Sequence, residues 1–556
     1  MNNLNIIFAI LIGYWLLVIF LDKHGILERY NISTFGPVLM IRTRRGQKLL
    51  EMLARPRRFW KFFGDVGIPV MLVGMFIMLM LVILTDYTML QSLYNHAMPA
   101  PERYNAPQNI FLIPGLNEFI PLVWGVIGLV ITLVVHELAH AVLCKVEGVD
   151  VKSMGLLTLI VPIGGFAEPD EEQLFGKKEE STKSATESGY DWQVSEIITV
   201  SNGISRKSRM RILVAGVMAN FVVALIAFSL FFGPVVGGIA PVSGVVIASV
   251  EENSSAAQAG IKEGMAVTKV DNTTIRTVHD FYTYMAARTD TPMVISVQEG
   301  QTHKTCTIAE QDATMRGGVT IWRVMPDSAA ARANLTEGMN IIQINDTRIS
   351  NTTDFVAFLN TTVPNQTVEV FFADNNSTIV KLGSSPDRSC GYMGVIAVTR
   401  LEFAGMTIGG YPAAERLHIL KNIPDMMHRI EGWLFVFAMP FIGFDGSGFS
   451  GFSNTMQFYE PVGWAAGHGI LVFWIANALL WTGWINFYAG LFNCLPAVPM
   501  DGGHIFRDVI HSLFGRVVSD RGAEQLSKGI AAAFAILILV SFVFMILGPY
   551  IVHGFQ

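Results

Sequence analysis

Six stretches of this chain are apolar enough and long enough to cross a lipid bilayer: 6–21, 66–84, 119–143, 212–232, 469–492 and 529–547. Inside a bilayer each backbone amide and carbonyl must be paired within the protein, so such stretches are expected to be helices. Only 15% of residues are charged, against about a quarter in soluble domains, which excludes an ordinary soluble protein. The net charge of −6 gives no reason to expect a nucleic-acid partner. No small-residue cleavage site follows the first run, so it reads as an anchor rather than a removable signal. The expected fold class is a multi-pass α-helical membrane protein of about six spans, carrying two small inserted α+β domains.

Charge orients the spans. Residues 22–61 hold ten Lys and Arg, among them Arg42, Arg44, Arg45, Arg55, Arg57 and Arg58, and short basic loops stay cytoplasmic. Residues 86–118 hold one, Arg103. The N-terminus is therefore expected outside, and the third span returns inward. Arg206, Lys207, Arg209 and Arg211 mark a cytoplasmic entry to the fourth, as Arg507, Arg516, Arg521 and Lys528 do between the last two. The run 433–444 is too short to cross and is expected to be re-entrant or to lie on the membrane surface. Residues 170–183 are expected to be a solvated loop.

The inner end of the third span reads His136-Glu137-Leu138-Ala139-His140. Residues four apart share a helix face, so both imidazoles can reach one metal ion, and Glu137 can take a proton from water beside it. A catalytic zinc takes three protein ligands and leaves one position open. The candidate for the third is Asp501, in Asn493-Cys494-Leu495-Pro496-Ala497-Val498-Pro499-Met500-Asp501-Gly502-Gly503 at the inner end of the fifth span. A lone carboxylate in an apolar region needs a compensating partner. Pro496 and Pro499 break the helix there, and Gly502 and Gly503 permit close backbone approach. Cys144 and Cys494 flank these segments and are expected to be small buried residues rather than ligands. Cys306 and Cys390 allow one disulfide or two free thiols.

Between about 240 and 385 the chain alternates at strand period, and it repeats itself. Residues 244–285 align without a gap on 318–359, an offset of 74 with 15 of 42 positions identical. The repeat is similar to the PDZ family, which implies that each copy can take an extended peptide or a free carboxyl terminus as an added strand; the plainer alternative is two folded spacers over the entrance. Nine Asn-x-Ser/Thr sites between Asn253 and Asn376 agree with a non-cytoplasmic location, although Asn also populates turns.

Taken together, His136-Glu137-x-x-His140, the Asn493-x-x-Pro496-x-x-Pro499-x-Asp501-Gly502 segment and the repeats between them resemble the site-2 protease family of intramembrane zinc metalloproteases, over residues 119–510. The resemblance implies one Zn2+ per chain held by His136, His140 and Asp501, with Glu137 as general acid/base. It implies that Asn493 binds the substrate backbone, and that Gly164 and Gly165 lie where the family offers a strand edge to an unwound substrate. Ala215-Gly216-Val217-Met218-Ala219-Asn220 resembles a family helix motif with Val217 in place of its Pro, so Asn220 has either an auxiliary or a packing role. The implied partners are a membrane protein with a transmembrane helix, peptide or carboxyl-terminal ligands of the repeats, and the lipid bilayer.

The expected organisation is a two-span N-terminal membrane region (1–118) and a first catalytic part (119–233). PDZ-like domains follow (240–312 and 316–385), then a juxtamembrane or re-entrant segment (400–465) and a second catalytic part (469–556). Two other functions fit parts of the pattern: an inactive membrane scaffold that binds peptides, and a metal-ion transporter. Intact candidate ligands and Glu137 argue against the first. A core with few other ionisable residues argues against the second.

Overall fold

The structure, a computed structural model, describes the chain except for residues 1–2, 31, 44–46, 102–105, 111–112, 159–161, 176, 184–193, 201–203, 289–291, 309–315, 375, 385–388, 445–447 and 555–556. Arg44, Arg45 and Arg103 fall outside the described residues. Two compact units emerge: 1–231 with 434–450 and 477–556, and 232–433 with 451–476.

The first unit is built on helices α1 (Asn3–Lys23), α2 (Gln47–Ala54), α3 (Arg57–Tyr94), α4 (Leu122–Glu147), α5 (Arg206–Leu230), α8 (Asp501–Phe514) and α9 (Asp520–His553), and on α6 (Ile430–Ile442) and α7 (Ile470–Asn493) from residues 434 and 477 onward. Five helices among the described residues are long and apolar enough to cross a membrane: α3, α4, α5 with its continuation to Val235, α7 and α9. The run expected as a first span forms α1, 21 residues long.

The N-terminal region is not set apart from the rest of this unit. Met71 of α3 is buried in one cluster with Val214 and Val217 of α5, Cys494, and Ile505 of α8. The stretch 22–61, expected to be a basic loop, contains a hairpin, β1 (Ile32–Phe35) and β2 (Val38–Thr43), and then α2. Strand β2 pairs with β3 (Val151–Thr158) in the register Leu39↔Thr158 and Ile41↔Leu156. Strand β3 pairs with β4 (Pro162–Pro169). The sheet order β1-β2-β3-β4 leaves β4 at an edge. Helix α2 buries Leu50 and Ala54 against Ala141, Val142 and Leu143 at the inner end of α4. Residues 170–183 are also not merely a loop: Glu171–Phe175 is helical, and Lys177–Lys183 pairs with Val194–Val200.

The short apolar run forms α6, 13 residues long. At 1.5 Å per residue it spans about 20 Å, well under the ~30 Å hydrocarbon core. The chain then doubles back, and Phe449 N–H donates to the Met439 carbonyl at 3.1 Å. Trp484 and Trp481 of α7 donate to the carbonyls of Val436 and Ser450 at 2.9 and 3.1 Å. The fold-back is thus held by indole N–H groups, one meeting the Val436 carbonyl of α6, which Pro440 has no N–H to satisfy, and one meeting a carbonyl of the returning chain.

The second unit carries the repeats on one twelve-stranded sheet. Its main strands are β5 (Val245–Val250), β6 (Ala266–Val270), β7 (Met293–Glu299), β8 (Thr302–Ile308), β9 (Arg316–Val324), β10 (Asn340–Ile344), β11 (Thr367–Phe372), β12 (Ser377–Lys381), β13 (Val395–Phe403) and β14 (Met406–Gly410). They run in the order β8-β7-β6-β5-β14-β13-β9-β10-β11-β12. The offset of 74 holds at the level of the backbone. Asn253 and Asp327 are left-handed (φ 63 and 57), as are Asp271 and Asn345 (φ 51 and 49). Ser254 and Ser328 cap equivalent short helices, and Thr277 and Asn351 cap the longer helices Val278–Ala287 and Thr352–Asn360.

Each repeat is closed by chain from beyond 390, which corrects both the expected end at 385 and the juxtamembrane assignment of 400–410. Strand β14 pairs with β5, and β13 pairs with β9. Leu401, Phe403, Met406 and Ile408 complete the first core, and Met393 and Val395 join the second. Glu251 N–H donates to Gly405 O and Met325 N–H to Gly394 O, again 74 apart. Gly405 and Gly394 have φ of 75 and 79, and a Cβ on either would lie 2.2 Å from the Cβ of its capping serine. Only glycine fits a left-handed residue pressed that close.

Five asparagines of the Asn-x-Ser/Thr sites have structural duties. Asn253, Asn334, Asn345 and Asn365 take left-handed turn positions, and Asn351 is a helix cap. Turn and cap chemistry accounts for these five. All four cysteines are free; Cys144, Cys306 and Cys494 are buried.

Candidate metal centre

Helix α4 brings His136 and His140 onto one face, and α8 begins at Asp501. Between α7 and α8 the chain turns within Cys494–Met500, and α8 is tucked under that turn. A Cβ on Gly502 would sit 2.5 Å from the carbonyl oxygens of Cys494 and Leu495, and one on Gly503 2.5 Å from Ala497 C and Val498 N. This close approach places the Asp501 carboxylate opposite the two imidazoles. As the first residue of α8 it also lies at the positive end of a helix.

His136 Nε2 and His140 Nε2 are 3.3 and 3.4 Å from Asp501 Oδ2, and 3.1 Å from each other. A tetrahedral zinc with bonds of ~2.0–2.1 Å separates its ligand atoms by about 3.3 Å. Asp501 Oδ2 is buried and accepts no hydrogen bond, which is costly for a carboxylate oxygen unless a cation meets it. Two nitrogens and one hard oxygen form a donor set suited to zinc. Among the described residues, this is the one group of three His, Cys, Asp or Glu side chains with ligand atoms so near one another.

Both outer ring nitrogens are engaged by α5. His140 Nδ1–H donates to the Ile212 carbonyl at 2.7 Å. The Asn220 amide nitrogen lies 3.1 Å from His136 Nδ1, and a half-turn of the carboxamide offers Oδ1 there as an acceptor for Nδ1–H. Fixing Nδ1–H in this way leaves each Nε2 lone pair for a metal. Gly216 forms the floor of the site: a Cβ there would lie 2.5 Å from His140 Nε2 and 2.6 Å from His136 Cε1. Gly216→Ala should displace both rings and lower zinc affinity about 10- to 100-fold, as loss of an outer-shell contact does; competition with a zinc chelator measures it.

A cavity of about 390 Å³ opens on these groups, lined by His136, Glu137, His140, Gly165, Asn493 and Asp501 among others. Gly165 lies over the acid/base candidate, since a Cβ on it would be 2.6 Å from Glu137 Cγ. Gly165, Ala167 and Pro169, alternate residues of β4, line the cavity, as the period of two along a strand requires. Gly164 sits opposite Leu157 in the ladder. The structure thus brings together His136, Glu137, His140, Asp501, Asn493, Gly165 and Asn220. Sequence reasoning missed Ile212 and the floor at Gly216; a glycine inside a long apolar helix was the available signal.

The model of peptidase family M50 matches residues 124–539. The chain is 30% identical over 174 residues to the uncharacterized protein MJ0971 of Methanocaldococcus jannaschii, covering 31% of this chain and 43% of that one. It is 29% identical over 138 residues to the putative zinc metalloprotease Atu1380 of Agrobacterium fabrum, covering 25% and 34%. These two alignments span less than half of each relative. Protease RseP of Yersinia pestis is 23% identical over 461 residues, 74% of this chain and 95% of that protein. With five helices among the described residues fit to cross a bilayer and a family match over most of its length, the chain is an integral membrane protein and belongs to peptidase family M50, the site-2 protease family of zinc metalloproteases.

Proposed function

We propose that this protein is an intramembrane zinc endopeptidase that cuts within the membrane-spanning segments of other membrane proteins, as a step of regulated intramembrane proteolysis. The observation that carries this reading is the meeting of two imidazoles on an apolar helix and a carboxylate at tetrahedral-edge distances, beside Glu137 and the edge strand of a sheet.

A peptide bond in a membrane helix is shielded by its own hydrogen bonds and by the absence of water. Strand β4 offers replacement partners: among the described residues it is the last strand of its sheet, and an unwound segment can pair there as a fifth strand. Gly165, Ala167 and Pro169 keep that face low, so the added segment lies close to Glu137. Asn493, on the cavity wall, holds the substrate backbone near the cut. When bound by His136, His140 and Asp501, zinc supplies the Lewis acidity that polarises a carbonyl and makes water a nucleophile near neutral pH. Glu137 takes the proton of that water and returns it to the leaving amine.

In the second unit, β13 and β14 pair only over Leu401–Phe403 and Met406–Ile408. Beyond that they border a cavity of about 640 Å³ lined by Ala397, Val398, Thr399 and Gly410 among others. These edges are where the PDZ-like repeats would receive an extended peptide or a carboxyl terminus. The basic flanks support a topology with the N-terminus and the repeats outside and the metal centre toward the cytoplasmic side.

The test is proteolysis by the purified, reconstituted protein of a model substrate with one transmembrane helix, with the product ends mapped by mass. Cuts should fall inside the apolar segment and cease on zinc chelation. Cuts confined to the flanking polar segments would overturn the intramembrane reading.

A further inference from the structure

Helix α5 enters the membrane region with Arg209 and Arg211, charges that the topology rule alone would explain. Their partners say more. Arg209 donates twice to Asp508, Nε to Oδ2 at 2.8 Å and Nη2 to Oδ1 at 2.7 Å. The side chains of Arg209 and Asp508 are only 15% and 6% exposed. Arg211 Nη1 donates to Glu147 Oε1 at 3.1 Å, with exposures of 13% and 5%, and its remaining edge holds Asp65 of α3 at 2.9 and 2.7 Å.

Both buried carboxylates stand seven residues after a candidate ligand: Glu147 after His140 on α4, and Asp508 after Asp501 on α8. Seven residues are close to two helical turns, so each carboxylate lies on the ligand's face of its helix, about 10 Å along the axis. The two arginines that receive them are themselves two residues apart. The same helix then supplies the Ile212 carbonyl to His140, the floor at Gly216 and the Asn220 amide to His136.

We propose that Arg209–Asp508 and Arg211–Glu147 are positioning pairs that lock the axial register of the two ligand-bearing helices against α5 and thereby set the affinity of the metal centre. The inference rests on the metal-centre reading above. Apolar packing is non-directional and does little to fix how far one helix slides along another, whereas three ligand atoms must meet to within about 0.5 Å. A slide of one residue is about 1.5 Å and would break the two-pronged Arg209–Asp508 pair or the single Arg211–Glu147 bond, both buried, where loss of a partner is most costly. The flat guanidinium fork resists such a slide in a way that the single ammonium of lysine does not.

The test uses the full-length protein and zinc itself. Affinity is read by chelator competition and release rate by exchange, for wild type, Asp508→Asn, Arg209→Gln, Arg209→Lys and the charge-swapped Arg209→Asp/Asp508→Arg. The folded fraction of each is isolated by size exclusion before measurement. Asp508→Asn and Arg209→Gln should bind zinc about 10- to 100-fold more weakly, the range for lost outer-shell support. Arg209→Lys should be intermediate, and the swapped pair should recover most of the affinity. A pair with only a general stabilising role would reduce the folded yield and leave the zinc affinity of the folded fraction at the wild-type value; that result overturns the proposal. Failure of the wild type itself to bind zinc sinks the metal reading instead. Should Arg209→Gln not fold, wild-type affinity in Arg209→Lys, which keeps the charge but not the fork, is equally decisive against it.

Discussion

Glu137→Gln should retain one zinc per chain and cleave its substrate about 10³-fold more slowly or worse, within the range that a general acid–base group contributes. Glutamine has nearly the volume of glutamate, so the packing under Gly165, where the Glu137 Cγ fills the space of an absent Cβ, is preserved. What the amide cannot do is accept the proton of water and return it to the amine. Zinc should stay because the group of close ligand atoms is His136, His140 and Asp501, without Glu137. Metal content and rate are measured on the same sample. Cleavage near the wild-type rate would remove Glu137 from its assigned role; loss of zinc would make it a ligand.

Asp501→Ala is expected to act on the metal first. The two imidazoles, fixed on their far sides by α5, remain in place, but the oxygen 3.3 and 3.4 Å from their Nε2 atoms is gone. Zinc held by two nitrogens alone should bind more weakly than wild type by more than the roughly 10–100-fold typical of a lost outer-shell partner. Equilibrium dialysis against a buffered zinc series reads this directly. Unchanged zinc affinity would show that Asp501 is not a ligand. The prediction differs from that for Glu137→Gln in kind, since added zinc should restore part of the activity to Asp501→Ala and none to Glu137→Gln.

Much of this centre is legible in the sequence because its signals are local. His136 and His140 are one helical turn apart, and Asp501 is a carboxylate among prolines and glycines at the end of an apolar run, so period and burial cost suffice. The repeat offset of 74 is legible for the same reason. What sequence reasoning missed depends on distant partners. Strand β2 lies in a stretch that reads as a basic loop until Leu39 finds Thr158. Strands β13 and β14 lie in what reads as juxtamembrane chain, because strands that close a domain from far along the chain, as Thr399 does opposite Val319 and Ile408 opposite Ile247, have no local mark. Arg209 and Arg211 have a sufficient explanation in membrane topology, and nothing along the chain ties them to Asp508 and Glu147. A non-local pairing becomes visible only once the fold supplies the neighbour.

X-ray absorption at the zinc edge on the purified, zinc-loaded wild type examines the ligand set itself. One zinc per chain with a shell of nitrogen and oxygen only, including two imidazoles, is the predicted result. A sulfur neighbour, which Cys144 or Cys494 would have to provide, or a zinc content well below one per chain after loading, would contradict it.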